Sequence, residues 1–167
     1  AFLGTFLDDI QLPATITALQ IHCFANATIT TLVIPPLVSE LPTRTFIGIC
    51  RAVDTQTGVE TPINIVLPSN LTKIGRSCFE FAGIAHIDIP NTVTEIGESA
   101  FTYCQDLASI ILSPSLQAIS NDMLSDCISL TSITIPESVT AIGASAFSNS
   151  GLTSITIPST VTTLGSS

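Results

Sequence analysis

Leu130-Thr-Ser-Ile-Thr-Ile-Pro-Glu-Ser-Val-Thr-Ala-Ile-Gly-Ala-Ser-Ala-Phe147 decides the fold, because its pattern returns along the whole chain. An apolar-x-apolar-Pro run is followed by two spaced apolar residues, then Gly, then Phe. The residue before the Pro position falls at Leu12, Ile34, Leu67, Ile89, Leu112, Ile135 and Ile157, and the Phe position at Phe2, Phe24, Phe46, Phe79, Phe101, Leu124 and Phe147. The steps along the Phe column are 22, 22, 33, 22, 23 and 23 residues. A fixed period of this size is the mark of a solenoid, which presents columns of side chains rather than one closed cleft.

Within the quoted unit, Ile133 and Ile135 alternate with Ser132 and Thr134, the period-two pattern of a strand with one buried face. Pro136 ends the strand, since it has no N–H for a ladder. Val139 and Ile142 return to the core from an opposite wall, Gly143 is expected to bend the chain with a positive φ, and Phe147 fills the arc. One unit alone buries little. Stacked about 4.8 Å apart, each strand is expected to pair with the next in a parallel sheet, and each buried Leu, Ile or Phe adds about 1.5–3 kcal/mol. The whole chain, 1–167, is thereby expected to form a single solenoid of about seven rungs, with an insertion around 50–62.

Composition narrows the function classes. A formal charge of −9, from 13 acidic and 4 basic residues, leaves no Lys/Arg stripe for phosphate, so nucleic acid is excluded as a partner. No apolar run reaches the ~20 residues of a helical membrane span. Charged residues are 10% of the chain, against roughly 25% in ordinary soluble proteins. Ser, Thr and Asn take their place on the surface. The chain begins at Ala1 rather than Met, which reads as a removed leader or a piece of something longer. Asn26-Ala-Thr and Asn70-Leu-Thr are acceptor triplets for N-glycans in a secreted protein.

The stretches 133–147, Ile87-Asp-Ile-Pro-Asn-Thr-Val-Thr-Glu-Ile-Gly-Glu-Ser-Ala-Phe-Thr-Tyr-Cys104 and Leu67-Pro-Ser-Asn-Leu-Thr-Lys-Ile-Gly-Arg-Ser-Cys-Phe79 resemble the BspA-like class of leucine-rich repeats. The match is specific over 63–167 and looser over 1–62, where Leu19-Gln20 and Leu41-Pro42 replace Ile-Gly. In the fifth rung Ser113-Pro114 shifts the proline by one. The resemblance implies a right-handed, mainly-β leucine-rich-repeat superhelix, with a parallel sheet on one wall and turns or irregular segments on the other. It also implies a cell-surface or secreted setting, adhesion or protein binding, and no enzymatic activity.

Chemistry-bearing residues are sparse. No Cys-x-x-Cys or His-x-x-x-His spacing calls for a metal, and no cofactor motif is present. Cys104 and Cys127 share a column in adjacent rungs, within reach of a disulfide, yet parallel side chains disfavour its dihedral, so a thiol ladder is expected. His86 and Asp88 face outward on one strand, and a Ser, His and Asp could assemble across rungs. A solvated polar surface is the blander account of the same residues.

The outward strand face is the better candidate. Its partner-binding residues are expected to be Val33, Val66, His86, Asp88, Ile111, Thr134 and Thr156. The valines and isoleucine suit exposed strands by propensity alone, so strand preference and a binding strip both account for them. The long step carries about eleven extra residues, with Arg51, Asp54 and Glu60 at its surface, and Val53 and Val59 around Thr57-Gly58 predict a small hairpin. Joining Ala1-Phe2 after Leu164-Gly165-Ser-Ser restores the repeat, so head-to-tail stacking, or a window cut from a longer solenoid, fits the register. The sequence therefore points to an extracellular structural or adhesive repeat protein, with proteins, itself or glycans as partners. The alternative is a cell-surface ligand-binding receptor module.

Overall fold

The computed structural model describes residues 1–7, 10–50, 52–53, 60–61 and 63–166; Asp9, Arg51, Asp54 and the Thr57-Gly58 turn lie outside them. Among the described residues every regular element is a short strand: β1 (Phe6–Leu7), β2 (Thr28–Ile29), β3 (Thr31–Val33), β4 (Glu40–Leu41), β5 (Ala52–Val53), β6 (Glu60–Thr61), β7 (Asn64–Val66), β8 (Lys73–Ile74), β9 (His86–Asp88), β10 (Glu95–Ile96), β11 (Ser109–Ile111), β12 (Ala118–Ile119), β13 (Ala141–Ile142) and β14 (Thr163–Leu164). This is a mainly-β repeat solenoid. One wall carries β3 on β7 and β9 on β11, and the other carries β4–β8–β10 and β12–β13–β14, all parallel.

Between the walls runs an arc whose backbone accounting explains the repeat. Around Phe79, the N–H groups of Ser77, Phe79 and Phe81 donate to Glu98, Ala100 and Thr102 of the next rung at 2.9, 2.8 and 2.9 Å. The intervening N–H groups of Cys78, Glu80 and Ala82 donate within the arc to Gly75, Ser77 and Phe79, at 3.3, 3.3 and 2.9 Å. Alternate donors thus point along the axis and into the turn, and none of the six is orphaned.

This alternation requires left-handed backbone two residues either side of the Phe position. His22, Arg44, Ser77, Ser99, Asp122 and Ser145 on one side, and Gly4, Asn26, Gly48, Phe81, Tyr103, Asp126 and Asn149 on the other, all have φ between 52° and 64°. Such a conformation costs about 1–2 kcal/mol for an L residue. Each axial hydrogen bond returns about 0.5–1.5 kcal/mol net, and the buried Phe adds more.

The Phe column is the spine of the core. Phe24, Phe46, Phe79 and Phe101 are buried, and the rings from Phe2 to Phe101 stack at 5.1, 5.4, 5.2 and 5.2 Å between centroids. Leu124 continues the column, fully buried.

Gly143 corrects the sequence expectation. It does not have a positive φ; the left-handed residue is Ser145, two positions on. A Cβ on Gly143 would sit 2.5 Å from Asn121 N, and one on Gly97 would sit 2.6 Å from Arg76 N. These glycines are needed for close approach of adjacent rungs. Their N–H groups bond the preceding rung: Gly75 to Leu41 O, Gly97 to Ile74 O, Gly143 to Ile119 O and Gly165 to Ile142 O, each at 2.8 Å. Ser120 stands in this column in the fifth rung. There the ladder between β10 and β12 is missing, and the Ser120 hydroxyl takes the Ile96 carbonyl instead.

The insertion leaves the register untouched. Thr31 opposes Asn64 and Leu41 opposes Ile74, offsets of 33 residues, whereas Ile74 opposes Ile96. The extra residues leave the wall after Cys50 as the expected hairpin: β5 and β6 pair antiparallel, Ala52 with Thr61 and Val53 with Glu60.

The first wall departs from expectation. Its strands do not all pair. Between β7 and β9 the only bridge among the described residues joins Ile63 to Ile84, and beyond β11 none of residues 131–135 or 153–157 makes a backbone–backbone hydrogen bond. The quoted repeat therefore keeps its register through the second wall and the arc, not through its first-wall strand.

Phe101→Ala is expected to lower stability by about 3–5 kcal/mol in urea unfolding, because the truncated ring leaves a cavity in the column. Gly143→Ala is expected to lose about 1–3 kcal/mol by pushing rungs apart, with no change in the positive-φ arc.

Candidate partner-binding face

The strand alternation puts one residue of each triplet inward and two outward. Leu32, Ile65, Ile87 and Ile110 are buried, while Thr31 and Val33, Asn64 and Val66, His86 and Asp88, and Ser109 and Ile111 are exposed. Ser132, Thr134, Ser154 and Thr156 continue both columns, also exposed. All seven strand-face residues singled out in the sequence thus lie on one surface. Val33, Val66 and Ile111 are 52%, 45% and 59% exposed.

Register brings three polar groups of this face together. Ser109 opposes His86 across the β9–β11 pair. His86 Nδ1 lies 2.6 Å from Ser109 Oγ, and His86 Nε2 lies 2.9 Å from Asp88 Oδ1. A neutral imidazole protonated at Nε2 satisfies both, donating to Asp88 and accepting the Ser109 hydroxyl proton. A hydrolase built on such a trio also needs oxyanion donors in a water-excluded cleft. Here His86 and Asp88 are 52% and 66% exposed on the flat of a sheet, so the trio stands as a solvated, hydrogen-bonded surface cluster.

Beyond Ile111 the face opens into a slot of about 440 Å³, lined by Ser109, Ile111 and Pro114 on one side and Ser132, Thr134 and Pro136 on the other. Sequence reading gave no sign of it, because Ser-Ile-Thr-Ile-Pro at 132–136 is a better strand pattern than the paired rungs. A second missed feature is the exposed ring pair Phe81–Tyr103, stacked at 4.7 Å with planes 3° apart. Both rings sit at the left-handed position after Phe, a column that no hydrophobic periodicity marks.

Lys73 and Arg76 do not build an anion site. Lys73 Nζ is 2.8 Å from Glu95 Oε1 and Arg76 Nη1 is 3.8 Å from Glu98 Oε2, both exposed inter-rung pairs on the second wall, of the kind worth little to stability. The hydrogen bond and charge of Glu95 raise the Lys73 pKa. Among the described residues no cluster of three or more His, Cys, Asp or Glu could hold a metal. Asn26 and Asn70 are both exposed. Asn26, however, occupies a left-handed position that Asn tolerates well, which is a structural reason for its presence.

All five cysteines are free, and Cys23, Cys78, Cys104 and Cys127 are buried. Cys104 Sγ donates to Phe79 O at 3.0 Å and Cys127 Sγ to Phe101 O at 3.2 Å, so these thiols link rungs as hydrogen-bond donors. Burial pushes the Cys127 thiol up to about 12 and raises Cys78 and Cys104 strongly, leaving all three inert at neutral pH.

The BspA-type leucine-rich-repeat model matches residues 1–53 and 60–167 in six copies. The chain belongs to this family. The unmatched gap lies within the insertion, and repeats of this kind generally serve protein–protein contacts. Among solved structures, a leucine-rich cell surface protein from Faecalibacterium prausnitzii is 28% identical with a TM-score of 0.73, over 99% of this chain and 44% of that one. A leucine-rich repeat protein from Bacteroides ovatus is 27% identical with a TM-score of 0.67, over 92% of this chain and 44% of that one. The pneumococcal vaccine antigen PcpA is 26% identical with a TM-score of 0.62, over 74% of this chain and 29% of that one. The chain thus spans less than half the length of these relatives. A search of curated proteins gives no match.

Iodoacetamide at pH 8 is expected to label Cys50 alone in the folded protein and all five cysteines after unfolding without reductant; three labels would reveal a bridge. Since the Cys127 pKa rises from 9.0 to about 12 on folding, its contribution to stability is complete below pH 9 and is lost as pH climbs towards 12. Chemical unfolding across that window is expected to show a steeper alkaline loss for the native chain than for Cys127→Ala.

Proposed function

We propose that this BspA-type repeat chain is a non-enzymatic module of an extracellular or cell-surface protein, with an adhesive or structural role. In this reading residues 1–167 work as one solenoid, and the outward strand face makes the protein contacts. The observation that carries it is the column of Val33, Val66 and Ile111, exposed β-branched residues on an otherwise polar wall, flanked by His86, Asp88, Thr134 and Thr156. Val33 lies opposite Val66, and Asp88 stands between that pair and Ile111; exposed apolar side chains aligned with polar neighbours in this way suit a contact surface with a polar rim. The surface setting is supported by the description of the Faecalibacterium relative as a cell surface protein. An N-glycan at Asn70, on an exposed turn, fits that setting.

Self-association is a finer part of the same proposal. Leu3 and Phe6 near Ala1-Phe2, and Ile155, Ile157 and Leu164 near Gly165, are exposed apolar residues at opposite ends of the stack. Further repeats, or a second copy placed head to tail, would cover them. A receptor module that uses the His86–Asp88–Ser109 cluster to recognise one polar ligand is the second reading.

Beads coated with the chain are expected to adhere to matrix-coated surfaces or cultured epithelial cells. The triple variant Val33→Asp, Val66→Asp, Ile111→Asp is expected to lose at least tenfold of that adhesion with an unchanged melting temperature. Equal adhesion by the triple variant would remove the strand face from the function.

A further inference from the structure

The opening of the first wall is selective. Across the same rungs, the second wall stays zipped, Ala118 to Ala141 to Thr163, and the arc keeps its axial bonds from Asp122 to Ala144, Leu124 to Ala146 and Asp126 to Ser148. Only the strand line parts. β11 pairs with β9 on one side and with nothing among the described residues on the other. Residues 131–135 run past it with all backbone groups unpaired, and Ile133 is half-buried where Ile87 and Ile110 in its column are buried.

Two edges of main-chain donors and acceptors therefore face one slot. Its lining includes no charged side chain, although the chain carries −9 overall. Ser109, Ser132 and Thr134 present short hydroxyls, and Ile111 with the two prolines presents apolar walls.

We propose that this slot seats an extended polypeptide segment of a partner protein, which adds as a strand to the free edge of β11 or of 131–135. The inference rests on the reading of this wall as the partner-binding face and names how that face grips. A row of unpaired backbone groups at strand pitch is matched by another strand, whose N–H and C=O groups repeat at the same spacing. A neutral slot with an apolar floor favours a segment that alternates β-branched and small polar residues, the alternation this wall itself uses. Main-chain pairing would supply the affinity, and Ile110 with Ile133 would select the inward side chains. A charged ligand would find no counter-ion in the lining, and a folded domain would not enter it.

The test uses the whole chain and a synthetic peptide of alternating Thr and Val, with lysines at its ends for solubility. Its twin is N-methylated at alternate residues, which keeps the side chains and deletes the donors on one edge. Hydrogen exchange with residue resolution is expected to show the amides of Ser132–Thr134 unprotected in the free protein and protected at least tenfold when the peptide saturates. The twin methylated on the pairing edge is expected to bind at least tenfold more weakly. Thr134→Pro, at an exposed position, removes one donor and is expected to weaken the peptide by a similar factor, and Glu95→Gln, on the second wall, is expected to have no effect. Amides of 132–134 already protected in the free chain would show a closed wall and overturn the proposal, as would equal binding of the peptide and its methylated twin. Loss of adhesion in the Val33, Val66, Ile111 triple variant, with no peptide binding to the native chain, would sink the slot while leaving the face.

Discussion

Everything in this molecule depends on alternate backbone N–H groups of the arc pointing along the solenoid axis. In the Phe79 arc three donors reach the next rung and the three between them close the arc, and the same alternation recurs along the stack. That division holds only if residues two before and two after the Phe position are left-handed, a constraint met by Ser, Asp, Asn and Gly where convenient and by Arg44, Phe81 and Tyr103 where not. The Phe column occupies the space this geometry creates, and strand pairing on either wall is secondary. The evidence for that order lies in the last rungs, where the first wall is unpaired and the arc bonds persist.

Much of this was legible in the residues. The Phe column, the inward Ile and Leu positions, the outward strand face and the hairpin at 52–61 follow from period and alternation alone, which report burial. What stayed hidden concerns the backbone. Gly143 reads as a residue of unusual φ, yet its absent Cβ matters for spacing, and only the neighbouring rung reveals that. Ser120, in the glycine column of the fifth rung, coincides with the break between β10 and β12. The abundance of Ser and Thr reads as a solvated surface, whereas Thr92, Ser138 and Thr160 donate to Leu71, Leu116 and Val139 carbonyls of the preceding rung at 2.6, 2.7 and 3.0 Å. Hydroxyls here are rung-to-rung fasteners as well as surface.

The outward columns of the candidate face follow from strand alternation, but its distinctive features do not. The approach of Ser109, His86 and Asp88 depends on a 23-residue register between β9 and β11 that the sequence permits without requiring. The slot beyond Ile111 arises where a strong strand pattern goes unpaired. Local propensity describes a segment's preference for extended backbone, and pairing is a property of two segments held at the correct distance.

The insertion carries a consequence for how such a chain changes over generations. Because Leu41 meets Ile74 across 33 residues as comfortably as Ile74 meets Ile96 across 22, rungs are addressed by position in the stack and not by distance along the gene. A duplication or loss of one whole period leaves every axial bond with an equivalent partner, and material added after Cys50 is carried outside the ladder. One residue added inside the arc would shift the left-handed positions off their donors. Such a chain is free to vary in units of a cassette and at one doorway, and almost nowhere between.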